Sequence, residues 1–242
     1  MSWEDPTAFF TLHRDLPREG PGTPEDVLWA LDCLNLSGQL NVLDAACGPG
    51  ADLATLAQAL PEAQITGIEK VAHFVEAARA RVMDCAPRVT VRQGDMGDPG
   101  GPFDLIWCAG ALYFLGVSEG LRGWRDALAP GGAVVFSEPV LLDTPPDVKT
   151  AAFWEDYPQI TDLDGIVARV NAAGFVVQAH RMIVGAPWEA YYAPMQARID
   201  ALRDQSPDAT LRITLDSHQL EIDRWRAAVD RIAYALLIVT PQ

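Results

Sequence analysis

Short apolar runs alternate along the chain with stretches in which apolar residues recur every three or four positions. The runs are typical of strands buried on both faces of a sheet, and the longer period is typical of helices that bury one face. The pattern predicts strands at residues 41–45, 64–68, 88–92, 103–108, 133–137, 175–184 and 232–240. It predicts helices from residue 24, after the turn at 47–50, and at 71–82, 118–128, 161–173, 188–203 and 214–231. This alternation indicates an α/β fold, Rossmann-like, with a mostly parallel sheet and helices on both faces.

Local signals divide the chain further. Thr23 before Pro24 is typical of a helix start, and Ser118 is expected to cap a later helix. We expect the pair Gly131-Gly132 to end that helix and the proline-rich residues 139–158 to form a loop or lid. The length of 242 residues predicts one domain, residues 1–242. Within it we distinguish an N-terminal cap (1–37), a central part (38–140) and a C-terminal part (141–242) with a helical insertion before the last strand.

Charge and cysteine content narrow the possible partners. The chain has 18 basic and 33 acidic residues, a net charge of −15. Such a surface repels phosphate backbones and anionic lipids, so we expect neither nucleic acid nor membrane as a partner. The four cysteines have no metal-ligand spacing, so no metal site is predicted. The first residues do not have the pattern of a signal peptide, and we expect a cytoplasmic monomer or homodimer.

The candidate chemistry lies where the predicted strands end. A glycine-rich turn, Cys47-Gly48-Pro49-Gly50, follows the first strand, which ends with Asp44 and Ala45. Glu69 ends the second strand, 25 residues after Asp44, and Asp95 follows the third. A carboxylate at the position of Glu69 accepts hydrogen bonds from a ribose diol, and Asp95 can accept them from an adenine amine. Because ligands of open α/β sheets bind at the carboxyl ends of the strands, these acids predict a nucleoside site there.

The ordered motifs carry a family resemblance. The segments VLDAACGPG (42–50), GIEK (67–70), GDM (94–96), FDLIWCAGALYF (103–114) and LAPGGAVVFSEP (128–139) stand in this order. As a set they resemble the class I S-adenosylmethionine-dependent methyltransferases, specifically a bacterial subgroup that acts on small molecules. The resemblance covers roughly residues 38–138. It implies a seven-stranded sheet of order 3-2-1-4-5-7-6, with strand seven antiparallel.

The same resemblance implies S-adenosylmethionine as cofactor and methyl transfer to a small-molecule acceptor. The cofactor-contacting positions that it implies are Asp44, Ala46, Cys47, Gly48, Gly50, Glu69, Lys70, Asp95, Met96, Cys108 and Ala109. Asp44 would lie near the methionine amine, Glu69 at the ribose and Lys70 beside the adenine. Cys108 and Ala109 would line the pocket below the sulfonium. The acids suit a cationic cofactor and would repel a pyrophosphate.

One position departs from the family pattern. The first glycine of the family's loop is Ala46 in this chain. A methyl group is tolerated there if the backbone angle φ is negative, and we then expect a modest effect on cofactor binding.

Three residues are candidates for a general base, which is required only if the acceptor loses a proton. They are His13 in the N-terminal segment, Tyr113 shortly after the fourth strand and Glu138 after the fifth. His218 has no partner that the sequence indicates. The aromatic residues Trp188, Tyr191 and Tyr192 are typical of helix packing and are also candidates for the acceptor pocket.

Other functions fit the sequence less well. A non-catalytic protein that binds S-adenosylmethionine would keep the same motifs. An NAD-dependent oxidoreductase would have a third glycine where this chain has Leu53. The G-x-S-x-G match at 116–120 lies about ten residues after a strand, whereas a hydrolase elbow follows its strand directly.

Overall fold

A mixed sheet of eight strands forms the centre of the protein. The computed structural model describes residues 6–242 and contains eight strands and nine α-helices in that range. The strands are β1 Asn41–Ala45, β2 Gln64–Glu69, β3 Val89–Gln93, β4 Phe103–Cys108, β5 Leu128–Leu141, β6 Thr161–Asp162, β7 Phe175–Val184 and β8 Ile232–Pro241. The helices are α1 Pro6–His13, α2 Pro24–Leu34, α3 Ala51–Ala59, α4 Ala72–Arg81, α5 Val117–Trp124, α6 Val148–Phe153, α7 Leu163–Ala172, α8 Ala186–Arg203 and α9 Ala209–Arg226.

The strand order confirms the predicted α/β topology. The sheet runs β3-β2-β1-β4-β5-β8-β7, and the two-residue strand β6 pairs with β5 beside this path. Strand β8 is antiparallel to both of its neighbours, and the pairs among β1 to β5 are parallel. Since β6 adds one number, this order is the predicted 3-2-1-4-5-7-6. Two layers of buried apolar side chains, one on each face of the sheet, form the core.

Several predicted boundaries are wrong. Strand β5 runs from Leu128 to Leu141 and includes Gly131-Gly132, because β4 pairs with it at Leu128 and again from Ala133 onward. Strand β8 pairs with the part from Val134 to Leu141. The expected loop at 139–158 therefore begins as a strand and later contains the helix α6. Ser118 is not a cap: Gly116 precedes α5, and the Ser118 hydroxyl donates to the Arg169 carbonyl at 2.8 Å.

The N-terminal helices attach to both halves of the chain. Helix α2 begins at Pro24 with the predicted Thr23 cap, since the Thr23 backbone N–H donates to the Asp26 carboxylate at 2.9 Å. Helix α1 packs against α8 and α9, and Arg198 donates to the Thr11 carbonyl at 3.1 Å. The segment that joins α1 to α2 lies next to the loop that follows β1. Within residues 6–242, the structure contains no helix with the length and apolar character of a membrane span.

The position of β8 between two strands makes its apolar residues essential to the core. Leu237 is fully buried in β8, and Leu237→Ala should lower the free energy of unfolding by about 2–5 kcal/mol. Leu220→Ala is the control, because Leu220 on α9 is 51% exposed and should change stability little. Urea unfolding of both variants measures the difference. A cost below about 1 kcal/mol for Leu237→Ala would contradict a central place for β8.

Candidate functional site

The predicted acids meet at one edge of the sheet. Asp44 lies near the end of β1, Glu69 ends β2, and Asp95 follows β3. Cys108 ends β4, and Glu138 lies near the end of β5. Strands β2 and β3 lie on one side of β1, and β4 and β5 lie on its other side. The strand order therefore reverses between β1 and β4. Ligands of open α/β sheets bind at this kind of switch point.

Glu69 holds two loops of this edge together. Its Oε2 accepts a hydrogen bond from the Gly48 N–H at 2.9 Å, and its Oε1 accepts one from the Val71 N–H at 2.8 Å. The side chain is 7% exposed. Each carboxylate oxygen has a second lone pair, so Glu69 retains the capacity to accept hydrogen bonds from hydroxyl groups of a ligand.

The glycine loop after β1 turns through left-handed backbone conformations. The angle φ is +53° at Gly48 and +84° at Gly50, and a side chain at Gly50 would lie 3.0 Å from Ala78 of α4. Ala46 has φ of +59°, so the expectation of a negative angle there is wrong. The turn requires this conformation at Ala46, and an L-residue with a Cβ is strained in it by roughly 1–2 kcal/mol.

Asp44 is a buried carboxylate with one unpartnered oxygen. The residue is 2% exposed, and among the described residues Oδ2 has no hydrogen-bond partner. Burial raises the pKa of Asp44 well above its usual value, and the nearby acids Asp52 and Glu69 raise it further. A cation placed beside Asp44 would supply the missing partner and favour the ionised form. The ammonium and sulfonium groups of S-adenosylmethionine fit this donor set.

The other predicted cofactor positions surround these residues. Lys70 and Asp95 form an exposed ion pair, with 3.3 Å between Nζ and Oδ2, at the end of β2 and β3. The Gly97 N–H and Lys70 lower the pKa of Asp95. The Met96 carbonyl accepts a hydrogen bond from the Trp124 indole at 2.8 Å.

The cysteines of the site are buried small side chains. Cys47 and Cys108 are 8% and 0% exposed, and burial raises the pKa of each thiol. Ala109 follows Cys108 and packs against the core layer that contains Cys47 and Trp107. Thiols with raised pKa values are poor nucleophiles, so both cysteines are suited to line the site without reacting.

Glu138 and Tyr113 belong to one cluster of polar side chains. Tyr157 donates a hydrogen bond to Oε1 of Glu138 at 2.8 Å, and its ring centroid lies 5.8 Å from that of Tyr113. Glu138 is 1% exposed, and Oε2 has no partner among the described residues. Burial raises the pKa of Glu138 from 4.5 to about 7. Burial and the Glu138 charge also raise the pKa of Tyr113, so Tyr113 stays protonated at neutral pH.

His13 lies in a different cluster, which the sequence did not reveal. Its Nδ1 is 2.6 Å from Oε2 of Glu19, and its Nε2 is 3.1 Å from Nε2 of His218. His218 therefore has a partner that the sequence does not indicate. Burial lowers the pKa of His13 to about 4. Glu19 was missed because it belongs to an irregular segment without periodicity, and His218 lies 205 residues from His13.

The aromatic candidates pack together beside the start of β8. Trp188 and Tyr192 are 2% and 1% exposed, and the Tyr192 hydroxyl donates to Glu221 at 2.7 Å. The Trp188 ring lies 5.1 Å from that of Tyr234, and Tyr191 contacts Tyr192. Within residues 6–242, no group of three or more metal-ligating side chains is found.

A sheet of this order, with a glycine loop and buried acids at its switch point, defines the Rossmann-like class of ligand-binding α/β proteins. The family of methyltransferase domains matches residues 42–132, from β1 into β5. A methyltransferase from Geobacter sulfurreducens, solved with S-adenosylhomocysteine, has the same fold at a TM-score of 0.86. It is 22% identical, and the match covers 98% of this chain and 99% of that one. The match over residues 42–132 confirms the predicted resemblance to methyltransferases, and the structural similarity confirms the class I fold.

Curated relatives share part of the chain. Trans-aconitate 2-methyltransferase of Paracidovorax citrulli is 32% identical over 50% of this chain and 49% of its own length. The Streptomyces coelicolor protein of the same name is 26% identical over 80% of this chain and 69% of its own length. The chain thus spans about half the length of the first curated relatives it matches.

The strain at Ala46 gives a stability prediction. Ala46→Gly should raise the free energy of unfolding by about 0.5–1 kcal/mol, because relief of the left-handed strain exceeds the entropy that glycine adds to the unfolded chain. Ala45→Gly is the matched control in β1 and should lower stability by about 1 kcal/mol or more. Urea unfolding measures both. Equal losses in the two variants would show that Ala46 carries no strain.

The raised pKa of Glu138 gives a pH-dependent prediction. The folded-state pKa of about 7 exceeds the ordinary 4.5, so this group stabilises the fold below about pH 4.5 and loses that contribution as the pH rises through 7. Glu138→Gln, which mimics the protonated form, should therefore be more stable than the wild type at pH 8, by up to roughly 3 kcal/mol. The two should converge near pH 5 in thermal melts.

Glu119→Gln is the control for Glu138→Gln. Glu119 is 69% exposed and pairs with Arg122 on α5, so its removal should change stability little at any pH. A stability difference for Glu138→Gln that is constant between pH 5 and 8 would contradict the raised pKa.

Proposed function

We propose that the protein transfers a methyl group from S-adenosylmethionine to a small-molecule acceptor and releases S-adenosylhomocysteine. The observation that carries this proposal is the juxtaposition of the Glu69-bound glycine loop with the unpartnered buried Oδ2 of Asp44 at the switch point of the sheet. When bound, the cofactor supplies a methyl group already activated by a positive sulfur. The protein then has to bind, orient and exclude water, and orientation alone contributes about 7–11 kcal/mol in favourable cases.

Each acid has a separate task in this proposal. Asp44 pairs with the ammonium of the methionine part, and Glu69 accepts the ribose hydroxyls through its remaining lone pairs. Gly48 and Gly50 leave room for close approach of the ligand to the backbone. Asp95, Lys70 and the Met96 backbone lie at the adenine end. Cys108 and Ala109 close the site on the side of β4.

Glu138 is the residue that we assign to the acceptor. Its unpartnered Oε2 can accept a hydrogen bond from the acceptor's N–H or O–H, which directs the acceptor's lone pair towards the methyl group. A pKa of about 7 leaves a large fraction of Glu138 ionised at neutral pH, whereas Tyr113 is protonated and both ring nitrogens of His13 are engaged. Tyr113, with Tyr157, then shapes the acceptor end of the site.

The acceptor class is a small molecule, in line with the relatives that methylate trans-aconitate by name. The net charge of −15 disfavours nucleic acid. We propose that residues 1–37 cap the cofactor, 38–140 bind it and 141–242 shape the acceptor side, within a monomer or homodimer in the cytoplasm. The four cysteines are unpaired, as in a reducing compartment.

Isothermal titration with S-adenosylmethionine and with S-adenosylhomocysteine tests the proposal. Wild-type protein should bind both, and Asp44→Asn should weaken both by about 10–100-fold, because both ligands carry the ammonium group. Asp44→Asn is preferred to a change at Glu69, since Glu69 also accepts hydrogen bonds from two loops.

Asp104→Asn is the matched control for Asp44→Asn. Asp104 lies near the start of β4, at the other end of the strand from Cys108. Its carboxylate accepts a hydrogen bond from the Asn41 N–H at 2.7 Å. An asparagine can still accept that bond, so binding should be unchanged. Absence of binding to the wild type would overturn the cofactor assignment, and binding of NADH in its place would favour an oxidoreductase. Cofactor binding without transfer to any acceptor would favour a binding protein.

A further inference from the structure

The cluster of Glu19, His13 and His218 has no task in the proposed reaction, yet it lies against the glycine loop after β1. A Cβ built on Gly48 would lie 3.5 Å from Cγ of Glu19, so the methylene groups of Glu19 lie over this glycine. The carboxylate is partly buried, 21% exposed. Its Oε1 has no hydrogen-bond partner among the described residues.

The hydrogen bonds of the cluster fix where its protons lie. Nδ1 of His218 is 2.8 Å from the Thr214 carbonyl, which can only accept, so this nitrogen carries a proton. Burial lowers the pKa of His218, so its Nε2 is unprotonated and accepts from Nε2–H of His13. Nδ1 of His13 and Oε2 of Glu19, 2.6 Å apart, then share one proton.

Without a nearby cation, the shared proton belongs to Glu19. Burial and the Glu69 charge raise the pKa of Glu19 to about 9, and burial lowers that of His13 to about 4. The pair is then neutral, which is the favoured state of a buried pair. A positive charge beside Glu19 would reverse the preference. The O–H bond would break, an N–H bond would form at Nδ1 of His13, and the result would be a carboxylate next to an imidazolium.

We propose that Glu19 contacts the sulfonium end of the cofactor as a carboxylate, and that His13, held by His218, is a positioning residue that takes up its proton. This inference rests on the proposed function. Glu19 then distinguishes the methyl donor, whose sulfur is positively charged, from the product, whose sulfur is neutral. A carboxylate near the sulfur favours S-adenosylmethionine over S-adenosylhomocysteine, so that the spent cofactor is released more readily.

Several charged or titratable groups face the pair of His13 and Glu19 and affect where its proton lies. They are Glu69 at the end of β2, His73 on α4, Tyr191 on α8, and His218 and Glu221 on α9. The charges of His13 and Glu19 act in turn on His218, and that of Glu19 acts on Tyr191. The comparison of the two ligands within each variant therefore isolates the shared proton.

Calorimetric titration of Glu19→Gln with both ligands tests the charge of Glu19. The glutamine amide can still donate to Nδ1 of His13, so the cluster keeps its shape while it loses the carboxylate. We expect S-adenosylmethionine to bind about tenfold more weakly and S-adenosylhomocysteine to change by less than about twofold. Glu119→Gln, an exposed acid on α5, should leave both affinities unchanged. An unchanged ratio of the two affinities in Glu19→Gln would overturn the inference.

His13→Gln tests the transfer of the proton. Without an imidazole, ionisation of Glu19 must release a proton to solvent when S-adenosylmethionine binds. Between pH 6 and 8, the affinity of His13→Gln for S-adenosylmethionine, divided by that of the wild type, should therefore rise about tenfold for each pH unit. A role that is only structural would weaken both ligands without this change of slope, and would overturn the inference. Failure of the wild type to bind either ligand would instead overturn the proposed function.

Discussion

The carboxylate of Glu69 is the contact on which the geometry of the site depends. It joins the loop after β1 to the loop after β2 through backbone N–H groups of Gly48 and Val71. A buried carboxylate that accepts two N–H groups is well compensated, and such charge-assisted hydrogen bonds are stronger than neutral ones. Because these hydrogen bonds fix Gly48, they also fix the surface against which the Glu19 side chain packs. The parallel sheet brings the two strand ends together, and Glu69 converts that proximity into a defined loop geometry.

The site concentrates buried acidic groups that the described residues pair only in part. Asp44, Glu19 and Glu138 each have a buried oxygen without a partner among the described residues, and burial raises the pKa of each carboxyl group. Arg18 does not compensate them directly, since it binds Asp52 at 3.0 Å. Buried acids with an unpartnered oxygen destabilise a fold, so their presence at one end of the sheet indicates that function is favoured there over stability. A cationic ligand is the complement that such an edge lacks.

The sequence predicted the bounds of those elements whose apolar pattern matches the burial in the structure. The strands at 103–108 and 175–184 have their predicted bounds, because turn residues enclose continuous or alternating apolar runs. Glu69 and Asp44 were recognised because their spacing follows the strand ends. The extension of β5 through Gly131-Gly132 was not predictable, since it depends on pairing with β4 on both sides of the glycines, at Leu128 and at Ala133, across an irregularity in the register. The Glu19 cluster was equally hidden, because it depends on contacts between the two ends of the chain and not on local propensity.

The insertion of β8 between β5 and β7 has a consequence for biosynthesis. Within residues 6–242, β8 is the strand that pairs with β7, and it follows the other described strands. During synthesis from the N-terminus, β5 and β7 therefore emerge with unpaired edges, and these edges stay open until β8 is available. Exposed edges of apolar strands are sites of intermolecular pairing. The interval before β8 emerges is thus the stage at which a nascent chain of this topology exposes these edges to pairing with other chains.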